Sequence, residues 1–306
     1  MPANSSAPPP ALARAVFDRA ADERTDPALI RRLRERSDTR VLVVAGDRIR
    51  TDGDQLHLDA PAGLAGVEIE HWAFLGRTQA GAPLLLAAVL DAHESGDSRW
   101  ASLRTAGAAL PAEEATALVT AVALARWLRE SPYCPACGAL TDVIQSGWAR
   151  RCPSCGREHF PRTDPAVIVA VTSADGRRVL LGRNAQWGDR AMYSTFAGFV
   201  EAGESIEATV AREVEEEAGV RLHGIRYRSS QPWPYPRSLM LGFHATAVDE
   251  TAARPDGEEI VDVRWFDRQE LRAGFSGRAD FSLPGPASIA HMLIREWLDA
   301  DGGSGE

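Results

Sequence analysis

Residues 198–220 read GFVEAGESIEATVAREVEEEAGV, and this stretch decides the fold. Ile206 to Ala218 carries a helical pattern: Val210, Val214 and Ala218 fall on one face. Ser205 precedes it as an N-cap, and Gly219 follows where a helix reverses into the left-handed region. From Glu201 to Glu217 seven carboxylates stand against one base, Arg212. Glu216 and Glu217 lie three and four residues after Glu213, so all three share a face. Like charges at that spacing repel, and they crowd the helix end where the dipole already disfavours anions. A solvated acidic face is the commonplace reading of such a run. Two features weigh against it. The apolar side of the same helix fixes the acids on a packed element, and a glycine-marked loop, Gly198 to Gly203, leads into it with Glu201 and Glu204. Convergent carboxylates on rigid backbone form the hard-oxygen environment that Mg²⁺ or Mn²⁺ prefers.

On either side of this helix the apolar pattern changes period. Ala166 to Thr172 is a nearly continuous β-branched run, as expected of a strand covered on both faces. Asp175-Gly176 is a turn signal and Val179-Leu180-Leu181 the returning strand. Strand-like runs recur at Leu239–Ala247 and Ile260–Phe266, and Ile289, Met292, Leu293 and Trp297 mark one face of a last helix. Nearer the N-terminus, Val41–Val44, the Gly46-Asp47 pair and Ile49 predict a β-hairpin, with further strands around Trp72–Leu75 and Leu84–Leu90. Pro111 with Glu113 and Glu114 starts a helix whose apolar side is Leu118, Val122, Ala125 and Trp127-Leu128.

The 306 residues are 44% hydrophobic and 25% charged, ordinary usage for a globular chain. Acidic residues number 43 against 34 basic, a net charge of −9. That balance excludes a nucleic-acid grip spread over the whole surface while leaving room for a local basic groove. The longest apolar run, Ala82–Leu90, falls short of the roughly 18 residues of a membrane span. The Pro/Ala/Ser-rich start lacks the charged-then-apolar order of a secretory signal, so a cytoplasmic protein is expected.

All four cysteines fall in two matching units, Cys134-Pro-Ala-Cys137-Gly138 and Cys152-Pro-Ser-Cys155-Gly156, fourteen residues apart. Two residues between thiolates let both face one ion, and the following glycine turns backbone N–H groups toward the sulfurs. Two such knuckles complete a tetrahedral Cys₄ zinc site; a pair of disulfides fits poorly with an intracellular chain. A closed Cys₄ site leaves no open coordination position, so its role is folding.

With Gly198, Glu204 and the run Arg212–Val220 in their spacing, the opening stretch resembles a complete Nudix box. The resemblance implies an α+β chain: a Nudix fold, with a mixed β-sheet between helices, preceded by the Cys₄ zinc ribbon and a small N-terminal α+β domain. The expected boundaries are flexible tails at 1–14 and 301–306, the N-terminal domain at 15–131, the ribbon at 132–160 and the Nudix domain at 161–300. It also implies hydrolysis of a nucleoside diphosphate linked to another group. Carried over by position, Glu213, Glu216 and Glu217 bind divalent metal, Arg212 orients them, and the main-chain carbonyl of Ala197 is a further ligand. Gly203 and Gly219 permit the turns.

The box does not choose a substrate. Ten residues after it lies Ser230-Gln231-Pro232-Trp233-Pro234-Tyr235-Pro236-Arg237-Ser238, where three prolines favour a stiff extended loop. Such a loop is ordinary surface structure, yet Trp233 and Tyr235 on it also make a wall for a flat ring. The segment resembles the SQPWPFPxS signature of NADH pyrophosphatases, with Tyr235 for Phe, and a zinc ribbon ahead of the Nudix domain is that family's layout. The resemblance implies that Phe160 and Phe199 contact the nicotinamide ring, that Glu259 is a late metal ligand, that Ala290 lines the nucleotide pocket and that Arg104 reaches the site from the N-terminal domain. It implies hydrolysis of NADH or NAD⁺ to NMNH or NMN plus AMP, removal of the NAD cap from the 5′ end of RNA, and a homodimer. ADP-ribose or dinucleoside polyphosphates are the alternative substrates within Nudix hydrolases. From another class, a zinc-ribbon nucleic-acid module with an inactive hydrolase domain would show a broken glutamate set, which this chain does not.

Overall fold

In the computed structural model of the protein, which describes residues 8–15, 17–90, 99–188 and 191–300, the hairpin expected at Val41–Ile49 forms. Strands β1 (Arg40–Ala45) and β2 (Arg48–Asp52) pair antiparallel across Gly46-Asp47. With β3 (Gln55–Leu56), β4 (His71–Arg77), β5 (Pro83–Val89) and β6 (Trp100–Ser102) they make a mixed sheet in the order β3-β2-β1-β5-β4, β6 pairing with β2. The β1–β5 pair at its centre is parallel. Helix α1 (Leu29–Arg34) buries Leu29 and Leu33 with Val41, Val43 and Phe74. After α2 (Leu103–Ala106), the long α3 (Ala112–Glu130) starts at Pro111 with Glu113 and Glu114 in its first turn.

The cysteine-rich segment folds as three short strands, β7 (Asp142–Ile144), β8 (Ala149–Arg151) and β9 (Glu158–His159), in sequential order. It has too few apolar residues for a core of its own and leans on its neighbours. Trp148 Nε1 donates to the Phe74 carbonyl at 2.7 Å, and the buried Arg150 donates to the Thr141 carbonyl at 3.1 Å and to that of Leu128. Residues Leu12–Thr163, together with Pro234–Arg237, accordingly form one unit.

The second unit comprises, among the described residues, 8–11, Asp164–Trp233 and 238–300. Its sheet runs β13-β14-β10-β11-β15, where β10 is Asp164–Thr172, β11 Arg178–Asn184, β13 Leu222–Trp233, β14 Ser238–Ala247 and β15 Ile260–Asp267. Only β10 and β14 pair parallel; the other pairs are antiparallel. Strand β12 (Phe196–Phe199) pairs with the first half of β10, over Ala166–Val169, while β11 pairs with Val171 and Thr172. This fork places Ala197 and Gly198 at the mouth between two diverging strands.

The β-branched run of β10 is buried on both faces. Val167, Val169 and Val171 pack under α4 (Ile206–Ala218) with Val210, Val214 and Phe196. Ile168 and Ala170 face α5 (Arg268–Phe275) and α6 (Ile289–Asp299), with Leu271, Ile289, Ala290, Leu293 and Trp297. A mixed sheet between helices is the expected Nudix architecture. The segment expected as a stiff loop is a hairpin instead: Gln231, Pro232 and Trp233 end β13, and the turn is only Pro234–Arg237, with a cis Tyr235–Pro236 bond. Pro232 is tolerated because β13 is the edge strand, which needs fewer ladder donors. Residues 1–7 and 301–306 of the expected tails lie outside the described residues.

Candidate active site and metal centre

Helix α4 begins as its sequence dictates. Ser205 Oγ accepts from the Ala208 N–H at 3.2 Å, and Gly219 ends the helix at φ 68°, its N–H donating to the Glu215 carbonyl at 2.9 Å. The apolar face locks against β10, which holds the opposite, acidic face still.

Arg212 organises that face. Its Nε and Nη2 donate in parallel to both oxygens of Glu204 at 2.9 Å, and Nη2 also reaches the Phe199 carbonyl at 3.1 Å. Nη1 lies 2.9 Å from Glu216 Oε2 and 3.0 Å from Glu213 Oε1. One guanidinium therefore ties the Gly198–Gly203 loop to two helix carboxylates. Its hydrogen bonds hold the Glu204 carboxyl down to about 2, with Thr209 and the Glu201 N–H assisting.

The other carboxylates are driven the opposite way. Burial raises Glu213, with Glu216 and Glu259 adding to the push and Arg212 opposing it. Glu217 is only 4% exposed, and burial, then Glu259, Glu213 and Asp256, push it up to about 9 against a hydrogen bond from the Ala197 main chain. No cationic side chain pairs with Glu217 among the described residues. Gly198 is the floor of the cluster: a Cβ there would fall 2.0 Å from Glu213 Cδ. Glu259 enters from the segment before β15. Asn184 donates to its Oε1 at 3.2 Å, and Asp256 Oδ1 accepts from the N–H groups of Glu258, Glu259 and Ile260 at 2.8–3.1 Å.

Glu213 thus lies in the field of Glu216 and Glu259, and Glu217 in that of Glu213 and Glu259 with a hydrogen bond from the Ala197 main chain, although among the described residues their oxygens do not close to within 4.8 Å of one another as a group of three. The donors are hard oxygens, and burial followed by neighbouring carboxylates raises Glu213 and Glu217, which is the chemistry of a site that a divalent cation would relieve. Asn184, Asp256 and the Glu204–Arg212 clamp were not assigned from sequence. Only the Asp256-Gly257 turn pair hinted at a fixed approach to β15; nothing local to Asn184 does.

The remaining candidate residues are dispersed. Gln231 is fully buried and donates to the Ala287 carbonyl at 3.0 Å, and Ser238 is buried opposite Trp233 in the ladder. Pro232 and Trp233 are partly exposed at the end of β13, and Pro236 and Arg237 are exposed in the turn. Within the first unit the Pro234 carbonyl accepts from Arg126 Nη1 at 3.0 Å, the Tyr235 hydroxyl donates to Asp47 Oδ2 at 2.8 Å, and the Arg104 guanidinium stacks 3.8 Å from the Tyr235 ring centroid. Phe199 in one unit and Phe160 in the other present exposed faces, 50% and 43% accessible. Ala290 is buried in the first turn of α6, within the apolar core.

In the ribbon all four cysteine sulfurs lie within 4.8 Å of one another. Cys134 and Cys155 are 3.6 Å apart and Cys137 and Cys152 3.5 Å, near the edge of about 3.8 Å that Zn–S bonds of about 2.3 Å require. Gly138 and Gly156 take φ of 75° and 74°, closing each knuckle as the sequence predicts. Against the cost of burial, the N–H groups of Ala136 and Cys137 draw the Cys134 thiol down to about 6. His159 Nε2 lies 3.2 Å from Cys134 Sγ, a neighbour that the cysteine spacing did not reveal.

Comparison with known proteins places three domain types along the chain. Residues 162–283 match the NUDIX domain, 129–160 the NADH pyrophosphatase zinc ribbon domain and 28–127 the NADH pyrophosphatase-like rudimentary NUDIX domain. The chain is 38% identical over 307 residues to the NAD-capped RNA hydrolase NudC of Mycobacterium bovis (strain BCG / Pasteur 1173P2), covering 94% of each. It is 37% identical over 257 residues to the protein of the same name from Chromobacterium violaceum, covering 84% of this chain and 91% of that one. Among solved structures it is similar to a NUDIX hydrolase from Nitrosomonas europaea, at 26% identity and a TM-score of 0.44, covering 56% of this chain and 93% of that one.

Proposed function

The chain belongs to the zinc-ribbon NADH pyrophosphatase branch of the Nudix hydrolases, and on that premise we propose that it hydrolyses the pyrophosphate of NADH and NAD⁺ to NMNH or NMN plus AMP and removes the NAD cap from RNA. The observation that supports the hydrolytic reading is Glu217, buried on α4 in the field of Glu259 and Glu213 and hydrogen-bonded to the Ala197 main chain on β12. Substrate choice rests on the hairpin Gln231–Ser238 and on relatives similar along nearly the whole chain.

Glu213, Glu216, Glu217, Glu259 and the Ala197 carbonyl are the proposed ligands of Mg²⁺ or Mn²⁺, which when bound would neutralise phosphate charge and make water a better nucleophile. Arg212 holds Glu213 and Glu216 in place and binds the loop through Glu204 and Phe199. The substrate-binding residues we propose are Phe160, Phe199, Arg104, Ala290 and the Gln231–Ser238 segment, by their family positions. The Cys₄ site holds one structural zinc. No helix among the described residues is long and apolar enough to cross a membrane. A cytoplasmic homodimer is part of the proposal; light scattering on the purified protein reads the oligomeric state.

One panel tests the reaction: NADH, NAD⁺, ADP-ribose and NAD-capped RNA, each with Mg²⁺ or Mn²⁺, comparing wild type with Glu216→Gln. AMP release from the nicotinamide substrates, lost in the variant, is the expected result. Preference for ADP-ribose, or a fully active variant, overturns it.

A further inference from the structure

The first unit contains a cavity of about 540 Å³ between the N-terminal domain and the ribbon, within the roughly 300–1,000 Å³ of small-molecule sites. Two arginines, Arg24 and Arg151, and no carboxylate are among the described residues that line it, in a chain whose net charge is −9. Its floor is the turn between β7 and β8, where Gln145 and Ser146 both sit at φ 49°. Left-handed backbone costs a non-glycine residue on the order of 1–2 kcal/mol. Gly147, at φ 96°, pins that turn onto β4: a Cβ there would come 2.3 Å from the Ala73 Cβ. Strain of this kind persists where the surroundings over-determine it, and it collects at binding sites.

Arg24 is held but not satisfied. Its guanidinium carbon sits 3.8 Å from the Trp148 ring centroid and Nη2 donates to the Arg19 carbonyl at 3.0 Å, while Nε is buried with no partner among the described residues. Arg19 shares the same ring at 5.5 Å, so two like charges meet with no carboxylate paired to Arg24 among the described residues. The Arg50 and Arg150 Nε atoms are buried in the same way, so what sets Arg24 apart is its place on the cavity wall. Arg151, at the rim, is ion-paired with Glu158 through Nε and Nη2, and no hydrogen bond of its Nη1 is found among the described residues. The other side of the cavity is apolar, with Pro27, Ile30 and Trp72, the last stacked under Arg34 at 4.5 Å. Gln145 lines the cavity with no side-chain hydrogen bond found among the described residues.

We infer that this cavity binds a nucleotide unit, with the base against Trp72, Pro27 and Ile30, the phosphate on Arg24 and Arg151, and the Gln145 amide at the base edge. A flat apolar ring joined to an anion is the chemistry that an acid-free, arginine- and tryptophan-lined pocket selects. A free nucleoside monophosphate and one residue of single-stranded RNA both present it. None of these residues takes part in the proposed hydrolysis, so the two readings stand or fall separately.

The test uses the full-length, zinc-loaded protein without added Mg²⁺ or Mn²⁺. Binding of a 3′-fluorescein hexa-adenylate with a 5′-hydroxyl is followed by anisotropy, and binding of AMP by calorimetry, for wild type, Arg24→Gln and Arg151→Glu. At least a fivefold loss of affinity in both variants, with NADH turnover and zinc content unchanged, is the expected result. Loss confined to the hexamer identifies RNA as the source, and loss for AMP identifies the free nucleotide. If Arg24→Gln loses its zinc or its cooperative melt, the exposed Arg151→Glu decides alone. Equal affinity in wild type and the folded variants, or no binding of either probe, overturns the inference.

Discussion

Gly198 and Glu213 share one space: the Cβ that any other residue would place at 198 falls 2.0 Å from the Glu213 carboxyl carbon. The absence of a side chain on β12 is what lets the α4 carboxylate lie against the strand, next to Ala197. Gly198 is not at a positive φ, so the requirement is one of volume rather than backbone conformation.

Gly198→Ala is therefore expected to displace the Glu213 carboxylate by about an ångström while leaving the β10–β12 ladder formed. Misplacement on that scale costs about 10²-fold in turnover. Steady-state NADH hydrolysis together with a thermal melt reads both effects. Wild-type kcat in a well-folded variant would remove the steric argument.

The zinc ribbon yields a stability prediction. Cys137→Ser leaves three thiolates, and the ribbon strands have no apolar core to fall back on. Zinc content measured by atomic absorption should drop from about one ion per chain toward zero, with a lower melting temperature, because metal binding here is folding free energy. A variant that melts like wild type while lacking zinc would make the Cys₄ cluster dispensable.

Much of this was legible locally. Helix α4 announced itself through Ser205, the Val210/Val214/Ala218 stripe and Gly219, because caps and periodicity are short-range signals. The zinc knuckles were legible for the same reason. What escaped was set by partners far away in sequence. Gln231 lies in a segment whose prolines predict a stiff loop, but the β13–β14 register makes it part of a strand, buried with its amide on the Ala287 carbonyl. Asn184 and Asp256 position Glu259 from a strand and a turn that only sheet pairing brings together. Ala290 sits at a helix start whose burial depends on which sheet face α6 covers.

Acid stability should depend on Glu296. Burial alone would raise its carboxyl, but His244 at 3.1 Å and the two parallel bonds from Arg228 at 2.9 Å outweigh that and hold it at about 2. A carboxyl lowered on folding contributes stability that is present above its ordinary value of 4.5 and fades as pH falls through 4.5 toward 2. Glu296→Gln is expected to cost roughly 1.5–3 kcal/mol at pH 7, with the deficit shrinking below pH 4. Urea melts at pH 7, 5 and 3.5 measure it. A deficit independent of pH would assign the loss to packing alone.

Glu217 should behave in the opposite sense, and it separates stability from function. Folding buries its carboxyl among Glu259, Glu213 and Asp256, with no cationic side chain paired to it among the described residues. Charge held in that position works against the folded state when no divalent ion is present, and a neutral amide of the same shape removes the conflict. Glu217→Gln is therefore expected to melt at a higher temperature than wild type in metal-free buffer, to gain less stability when Mn²⁺ is added, and to lose most NADH hydrolysis. The comparison needs only thermal melts with and without Mn²⁺ beside an AMP-release assay. A variant that melts lower in metal-free buffer, yet gains as much from Mn²⁺ as wild type, would show that Glu217 is held by its neighbours rather than strained by them.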